Sequence, residues 1–458
     1  MKRSRTVAIV IGAAGLMLAL LAALLLRPDP AIATAQGGGF SFVGVASCAG
    51  STCHGRSEAD GKIVRQDELM IWQDEASPAG AHSRAWRILA EPRSRRIAQR
   101  LGIGEATSAP MCLGCHATPA GGARGARFQT SDGVGCEGCH GAASGWLSSH
   151  YAVGANHAAN VARGLVPLDN PRARAATCLD CHYGSADQGQ FVNHRMMAAG
   201  HPRISFELDL FSTLQQHHND DADYRARKGR ASNVQMWAIG QAMALDRSLG
   251  LYAGPRGSEG AFPEFTFFDC HTCHRRISDD PRFEPTAAGN PGRPIPSGMP
   301  AYNDENMIML SAAARVAAPS LAARFDRDSR AFHAAIAKDR ASAVAAAATL
   351  RDSARALAAA FASADLGREQ VMAIIDSIAG QAISERFTDY AGSVQAVMAT
   401  DTLLSALVGS GGVSEGNAEA IRADINAAYR AVRDPNAYSP RDFRANLGRA
   451  AAAIKRLR

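Results

Sequence analysis

Apolar and polar positions follow three different patterns along this chain. Residues 7–26 are an unbroken apolar run without a charge, and three basic residues precede it. Residues 36–280 are rich in Gly and Pro and show long stretches without a helical period. From residue 304 onward the sequence is Ala-rich, and apolar residues recur at helical spacing. The patterns predict a leader, an irregular first domain and a helical second domain.

Helical spacing is clearest in the C-terminal region, residues 304–458. One predicted face carries Ile374, Ile375, Ile378, Ala382 and Ile383, and another carries Phe443, Leu447, Ala450, Ile454 and Leu457. Ser439 before Pro440 is typical of an N-cap followed by proline at the first helical position. Breaks at 409–412 and 434–435 separate the helices. We predict a bundle of four to six antiparallel helices, joined to the first domain by a Pro- and Gly-rich linker, residues 281–303.

Residues 1–35 have the features of an export signal. A basic start and an apolar run are followed by Ala33-Thr34-Ala35, a small-x-small cleavage pattern before Gln36. The run of about 20 residues is also long enough to span a bilayer. Two interpretations stay open, a cleaved signal peptide and an uncleaved anchor. Both predict a periplasmic protein, either soluble or associated with the inner membrane through its N-terminal helix.

All ten cysteines belong to one kind of motif. Four motifs are C-x-x-C-H, and the first is a stretched C-x-x-x-x-C-H. C-x-x-C-H attaches c-type haem: the thiols bond to the vinyl groups and the histidine ligates the iron from one face. The sequence therefore predicts five covalently bound haem c groups, each held at a short helix. The motifs are Cys48/Cys53/His54, Cys112/Cys115/His116, Cys136/Cys139/His140, Cys178/Cys181/His182 and Cys270/Cys273/His274.

Other uses of paired cysteines explain this pattern less well. A zinc site, a redox dithiol or a disulfide would each use a C-x-x-C pair. None of them gives a reason for a histidine after every pair. For the stretched motif, a structural disulfide between Cys48 and Cys53 remains the alternative.

Nine further histidines could ligate iron from the opposite face. If all five haems took one, every iron would be closed to substrates, which suits electron transfer. An empty position would allow a small molecule to bind. Methionines 111, 196 and 197 are alternative ligands whose more ordinary role is packing. The nine histidines are His82, His150, His157, His194, His201, His217, His218, His271 and His333.

Three segments of residues 40–280 resemble cytochrome c-554-type multihaem proteins. The first joins Phe42-Val43-Gly44, the first motif and His82-Ser83-Arg84-Ala85. The second, the most specific, is GVGCEGCHG at 133–141 followed by His150. The third, Cys178 to His182 with VNHRMMAAGHP at 192–202, resembles a subgroup of that family. The chain departs from the family in its stretched first motif and its fifth haem, and the C-terminal region lies outside the resemblance.

The resemblance implies a mainly α fold, with short helices and loops wrapped around haems. It implies that His82 ligates the haem of His140, and that His150 ligates the haem of His54. Family members can leave the second haem without a side-chain ligand, which makes the Cys112/Cys115 site the candidate open iron. We assign His194 and His201 to the fourth and fifth haems, in either order.

Charge gives no reason to expect a nucleic-acid partner. The formal net charge is +6, and the leader contributes +3 of it through four basic residues against Asp29. Ten propionates and five ferric cores would add about −5. The oxidised holo-protein should therefore be near neutral.

The expected function is electron transfer between a redox protein donor and acceptor. The resemblance suggests partners such as a membrane quinol oxidase or a periplasmic oxidoreductase of nitrogen metabolism. The main alternative is a reductase of a small nitrogen compound at one open haem, although the C-x-x-C-K motif of pentahaem nitrite reductases is absent. A third possibility is a redox-sensing or assembly role centred on the helical C-terminal region.

Overall fold

The computed structural model describes residues 39–59, 65–119, 121–187, 189–218, 226, 231–258, 262–274, 295, 299–382 and 390–458. The predicted leader and most of the predicted linker lie outside these residues, as does Ile383. The described residues belong to one compact unit, residues 34–458.

The prediction of a mainly α fold is confirmed. Within the described part of the chain, β-structure is limited to two isolated bridges, Phe42 with Arg124 and Phe268 with Tyr302. The helices before residue 304 are mostly short. They are α1 Glu68–Gln73, α2 Ala85–Ile88, α3 Pro92–Leu101, α4 Pro110–His116, α5 Cys136–His140, α6 Leu147–His150, α7 His157–Val161, α8 Pro171–His182, α9 His194–Ala199, α10 Leu208–Leu214, α11 Asn233–Ala253 and α12 Cys270–Cys273. Short 3₁₀ turns lie between them at Val45–Ser47, Pro78–Ala81, Thr130–Asp132, Ala143–Gly145, Pro255–Ser258 and Phe265–Phe267.

The C-terminal region has more helices than expected. Its described residues contain seven, where the sequence predicted four to six. The predicted breaks fall between helices, and Ser439 is an N-cap whose side chain accepts from the backbone N–H of Asp442. The seven are α13 Glu305–Ala317, α14 Pro319–Ile336, α15 Arg340–Ala362, α16 Arg368–Ala382, α17 Tyr390–Gly409, α18 Glu415–Ala431 and α19 Pro440–Lys455.

One hydrophobic core joins α11 to the C-terminal helices. Trp237 and Tyr252 of α11 are 0% exposed, as are Phe332 of α14 and Phe361 of α15. These side chains belong to a single buried cluster. The ring of Tyr252 lies 5.5 Å from that of Phe332, edge to face. The apolar core therefore crosses the predicted boundary at residue 304, where the sequence pattern changes.

Helix α17 is the most apolar helix of this core. Among the described residues it has the length and composition of a membrane span, but 78% of its apolar window is buried inside the protein. Leu403 and Leu404 are 0% exposed. Burial of this kind is typical of a central core helix, which is apolar all round.

Glu207 is a buried carboxylate between the two parts of this core. It accepts hydrogen bonds from the backbone N–H groups of Asp209 and Leu210, at 2.8 Å each. The hydroxyl of Thr402 in α17 donates to it at 2.9 Å. Burial, then the nearby charge of Asp209, raise the pKa of Glu207 from 4.5 to about 7. The folded protein therefore holds a proton on Glu207 that the unfolded chain releases.

We expect Glu207 to make the protein less stable as the pH rises from about 4.5 to about 7. Over this window the folded state binds more protons than the unfolded state, so the free energy of unfolding falls with pH. The raised pKa corresponds to about 3 kcal/mol. Denaturant unfolding at pH 5 and pH 7 measures the effect. Glu207→Gln should remove this part of the pH dependence, and an unchanged slope would contradict the assignment.

Candidate haem-attachment sites and their histidine pairs

The ten motif cysteines are all free thiols, so the alternative Cys48–Cys53 disulfide is not formed. The third and fifth motifs open helices α5 and α12, as expected. The second lies within α4, and the fourth forms the C-terminal end of α8. The stretched first motif follows the 3₁₀ turn Val45–Ser47 and is held by turns, with the N–H of His54 donating to the Cys48 carbonyl.

Each motif histidine faces a second histidine. A metal–imidazole bond is about 2 Å long, and the ring centre lies roughly 1 Å beyond the nitrogen. Two imidazoles on opposite faces of one iron therefore have ring centres roughly 6 Å apart. The observed separations are 6.3 Å for His54 with His150, 6.3 Å for His116 with His201, 6.0 Å for His182 with His82, 6.1 Å for His274 with His194, and 6.3 and 5.9 Å for His140 with His217 and His218.

Hydrogen bonds at Nδ1 prepare several of these rings for metal binding. A carbonyl or carboxylate oxygen can only accept, so the Nδ1 beside it carries the hydrogen and Nε2 keeps its lone pair for iron. The Nδ1 partners are the carbonyls of Ala85 for His116 (2.9 Å), Leu147 for His150 (2.5 Å), Pro202 for His201 (2.7 Å) and Gln215 for His217 (2.8 Å), and the Glu68 carboxylate for His54 (3.0 Å).

Burial keeps the inner histidines neutral. It lowers the pKa of His140 to about 3, with the neighbouring histidines adding to the effect. It likewise lowers the pKa of His182 to about 4 and that of His217 to about 4. Neutral imidazole is the form that ligates a metal. The geometry and the protonation states therefore fit haem iron held between two histidines.

The structure brings two of the predicted ligands to expected places. His150, the last residue of α6, stacks against His54 at an interplanar angle of 13°. His194 opens α9, whose N-cap Asn193 accepts from the N–H of Met196, and it faces His274 of the fifth motif.

His82 requires a correction. It faces His182 of the fourth motif, not His140 of the third as the resemblance implied. His82 follows the 3₁₀ turn Pro78–Ala81, where the Ala79 carbonyl accepts from the side chain of Gln215 at 2.8 Å. The segment after α10 places His217 and His218 opposite His140. His82 lies opposite His182 instead.

His201 also requires a correction, because it stands opposite His116 of the second motif. The candidate open site therefore has a histidine on its second face. Gly200 ends α9 with φ 118°, a left-handed conformation that glycine adopts without strain. Arg93 donates two hydrogen bonds to the Gly200 carbonyl, which fixes this turn against α3.

His217 and His218, two of the nine candidate histidines, both have rings that face His140. Their ligand atoms and that of His140 lie within 4.8 Å of one another. Two adjacent histidines cannot both ligate one face of an iron. The local sequence carries no signal that pairs either of them with His140. Only the path of the chain after α10 brings them to the third motif.

The other candidate ligands have different surroundings. His157 lies 3.2 Å from the carboxylate of Asp169, and buried His333 lies 3.4 Å from that of Asp304. Met196 packs in an apolar cluster with Ile97, which agrees with the ordinary packing role of methionine.

Attachment sites lie next to one another in two pairs. The Sγ of Cys115 is 3.8 Å from the carbonyl oxygen of Cys181, and the Sγ of Cys181 is 3.7 Å from that of Gly114. The thiols of Cys48 and Cys136 are likewise within hydrogen-bonding reach of each other. The first and third sites are therefore neighbours, and so are the second and fourth.

The fifth motif contacts the C-terminal helices directly. Asp269, the N-cap of α12, accepts from the N–H of His271 at 3.0 Å and from that of Ala391 in α17 at 2.9 Å. The ring of His271 lies 4.9 Å from that of Tyr438. Arg203, 2.8 Å from the Sγ of Cys270, also lines an open pocket of about 500 Å³ walled by α17 and α18. Both parts of the chain therefore surround the fifth attachment site.

Residues 47–141 match the family model described as cytochrome c554 and c-prime. This segment is cytochrome c554-like. It contains the first three motifs, whereas the fourth and fifth lie beyond the matched residues. A search of curated proteins found no match, and neither did a search of solved structures. The match of this segment supports a c-type cytochrome role, with haem c, iron and electron transfer.

Proposed function

We propose that this protein is a periplasmic pentahaem cytochrome c that carries electrons between redox partners. The observation that supports the proposal best is the set of five facing histidine pairs. Every motif histidine has a second imidazole at a separation of 5.9 to 6.3 Å. Two imidazoles at one iron leave no position for a substrate, which suits electron transfer.

The chain's own residues divide the work into attachment and ligation. Haem c, when bound, supplies one-electron chemistry at its iron. The ten thiols would fix the groups covalently, and the histidine pairs would hold their irons. Neighbouring attachment sites, such as those of Cys115 and Cys181, favour short distances between groups. Short distances favour fast transfer because tunnelling falls steeply with separation.

An EPR spectrum of the oxidised holo-protein, with a haem-to-protein ratio, tests the proposal. Five haems that are all low-spin are expected. A high-spin signal from an intact site would overturn full ligation and favour the alternative, a reductase of a small nitrogen compound. Nitric oxide, nitrite and hydroxylamine would then be the substrates to assay. His201 opposite His116 argues against such a site at Cys112/Cys115.

The cellular setting is part of the proposal. Covalent haem attachment takes place outside the bacterial cytoplasm, and residues 1–35 have the pattern of a signal or anchor. A periplasmic protein of this kind exchanges electrons with a redox protein donor and acceptor. An N-terminal helix retained after export would associate it with the inner membrane.

We expect His150→Ala to convert one haem from low-spin to high-spin and to leave the haem content at five. The variant removes the imidazole that stacks 6.3 Å from His54 and keeps both thiols of the first motif. EPR and the haem-to-protein ratio measure the two quantities. His157→Ala is the matched control, because His157 pairs with Asp169 and should leave every haem low-spin. A fully low-spin spectrum for His150→Ala would refute this ligand assignment.

A further inference from the structure

Glu68 differs from the Nδ1 partners of four other histidines at these sites. It is a carboxylate at the first position of α1, only 6% exposed. One oxygen lies 3.0 Å from the Nδ1 of His54, and the other lies 3.8 Å from the Nδ1 of His218. The Nδ1 partners of His116, His150, His201 and His217 are neutral backbone carbonyls.

The surroundings of Glu68 suit a carboxylate in spite of its burial. Each of its two oxygens lies beside an imidazole Nδ1, that of His54 at 3.0 Å and that of His218 at 3.8 Å. A buried charge is retained only when it is paired. The carboxylate therefore places a full negative charge beside the ring of one proposed iron ligand.

On the basis of the proposed function, we infer that Glu68 is a positioning residue. It fixes the His54 ring and lowers the reduction potential of the first haem. A carboxylate that accepts from Nδ1–H fixes the tautomer and the ring orientation and makes Nε2 more basic. A more basic ligand stabilises the ferric state relative to the ferrous state. A neutral carbonyl partner has a weaker effect, so the first haem should differ from its neighbours.

The second contact of Glu68 reaches toward the third site. His218 is one of the two histidines that face His140, with ring centres 5.9 Å apart. The same carboxylate thus stands between groups of the first and third attachment sites. Cys48 and Cys136 of those two motifs are also neighbours. Any smaller, secondary effect of a change at Glu68 should therefore fall on the third haem.

Spectroelectrochemical titration of the Glu68→Gln holo-protein tests the inference. The amide keeps the size of the side chain and removes its charge. One redox transition should shift to higher potential, while all haems stay bound and low-spin. Glu207→Gln is the matched control when the titrations are run at about pH 9, above the raised pKa of Glu207. Glu207 is then also a buried carboxylate, hydrogen-bonded to Thr402 rather than to a histidine. The redox transitions of this control should stay at their wild-type potentials.

The double variant Glu68→Gln/His150→Ala identifies the affected haem. His150→Ala turns the haem of His54 high-spin, so the low-spin EPR signal altered by Glu68→Gln should be the one that disappears. Unchanged potentials in Glu68→Gln, or an equal shift in Glu207→Gln, would overturn the inference. The proposed function is judged separately, by five low-spin haems in the wild-type protein. Glu68→Asp, which restores the charge, should return the potential toward its wild-type value.

Discussion

Replacing Cys136 and Cys139 together with alanine should remove one haem, so that the haem-to-protein ratio falls by one. Both thiols that hold the third haem are lost, and histidine ligation alone does not survive denaturation. His140 of this site is half-buried, and desolvation lowers its pKa to about 3. Without its haem this site would be a large cavity, and cavities of this kind destabilise a protein core. The ratio of haem absorbance to protein, together with the mass of the denatured chain, measures the loss.

Two companion variants sharpen this experiment. Met196→Leu conserves volume in an apolar cluster and should keep all five haems. Cys139→Ala alone should retain a haem that is bound through a single thioether and lost more easily. If the double variant still carries five covalent haems, the third motif is not an attachment site and the count of five is wrong.

Removing residues 305–458 should prevent the remaining chain from folding. The deletion would expose side chains of α11 such as Trp237 and Leu249, both 0% exposed in the intact protein. It would also remove the α17 contact with Asp269 beside the fifth motif. Loss of a single large core side chain costs about 3–5 kcal/mol, and a whole domain is stable by only about 5–15 kcal/mol. Soluble yield, haem content and resistance to protease measure the outcome.

A point variant measures the same shared core in a protein that still folds. Phe361→Ala, in α15, should lower the free energy of unfolding by about 3–5 kcal/mol because the ring is fully buried. Asp352→Ala is the matched control on the same helix, where the side chain is 66% exposed, and it should change stability by less than about 0.5 kcal/mol. A truncated chain that holds five haems and resists protease would show that the C-terminal helices are a separate module.

The sequence determined the chemistry of attachment, because that chemistry is local. Two thiols and the next histidine must be neighbours in the chain to reach one haem, so Cys112, Cys115 and His116 can be identified without a structure. The same holds for helix signals, such as the N-cap Ser439 before Pro440, which α19 confirms. Family resemblance added one long-range pair, His54 with His150, which the structure brings together.

Only the tertiary structure decided which further histidine faces which motif. These pairs join residues far apart in the chain, and nothing in the composition around His82 distinguishes a partner at His140 from one at His182. The Gly200 turn on α3 directs His201, and the chain after α10 directs His217 and His218. The role of Glu68 has the same origin, since its carboxylate meets His54 and His218 only through the fold. Covalent chemistry is thus written in adjacent residues, whereas the second ligand and its electrostatic surroundings depend on how distant segments pack.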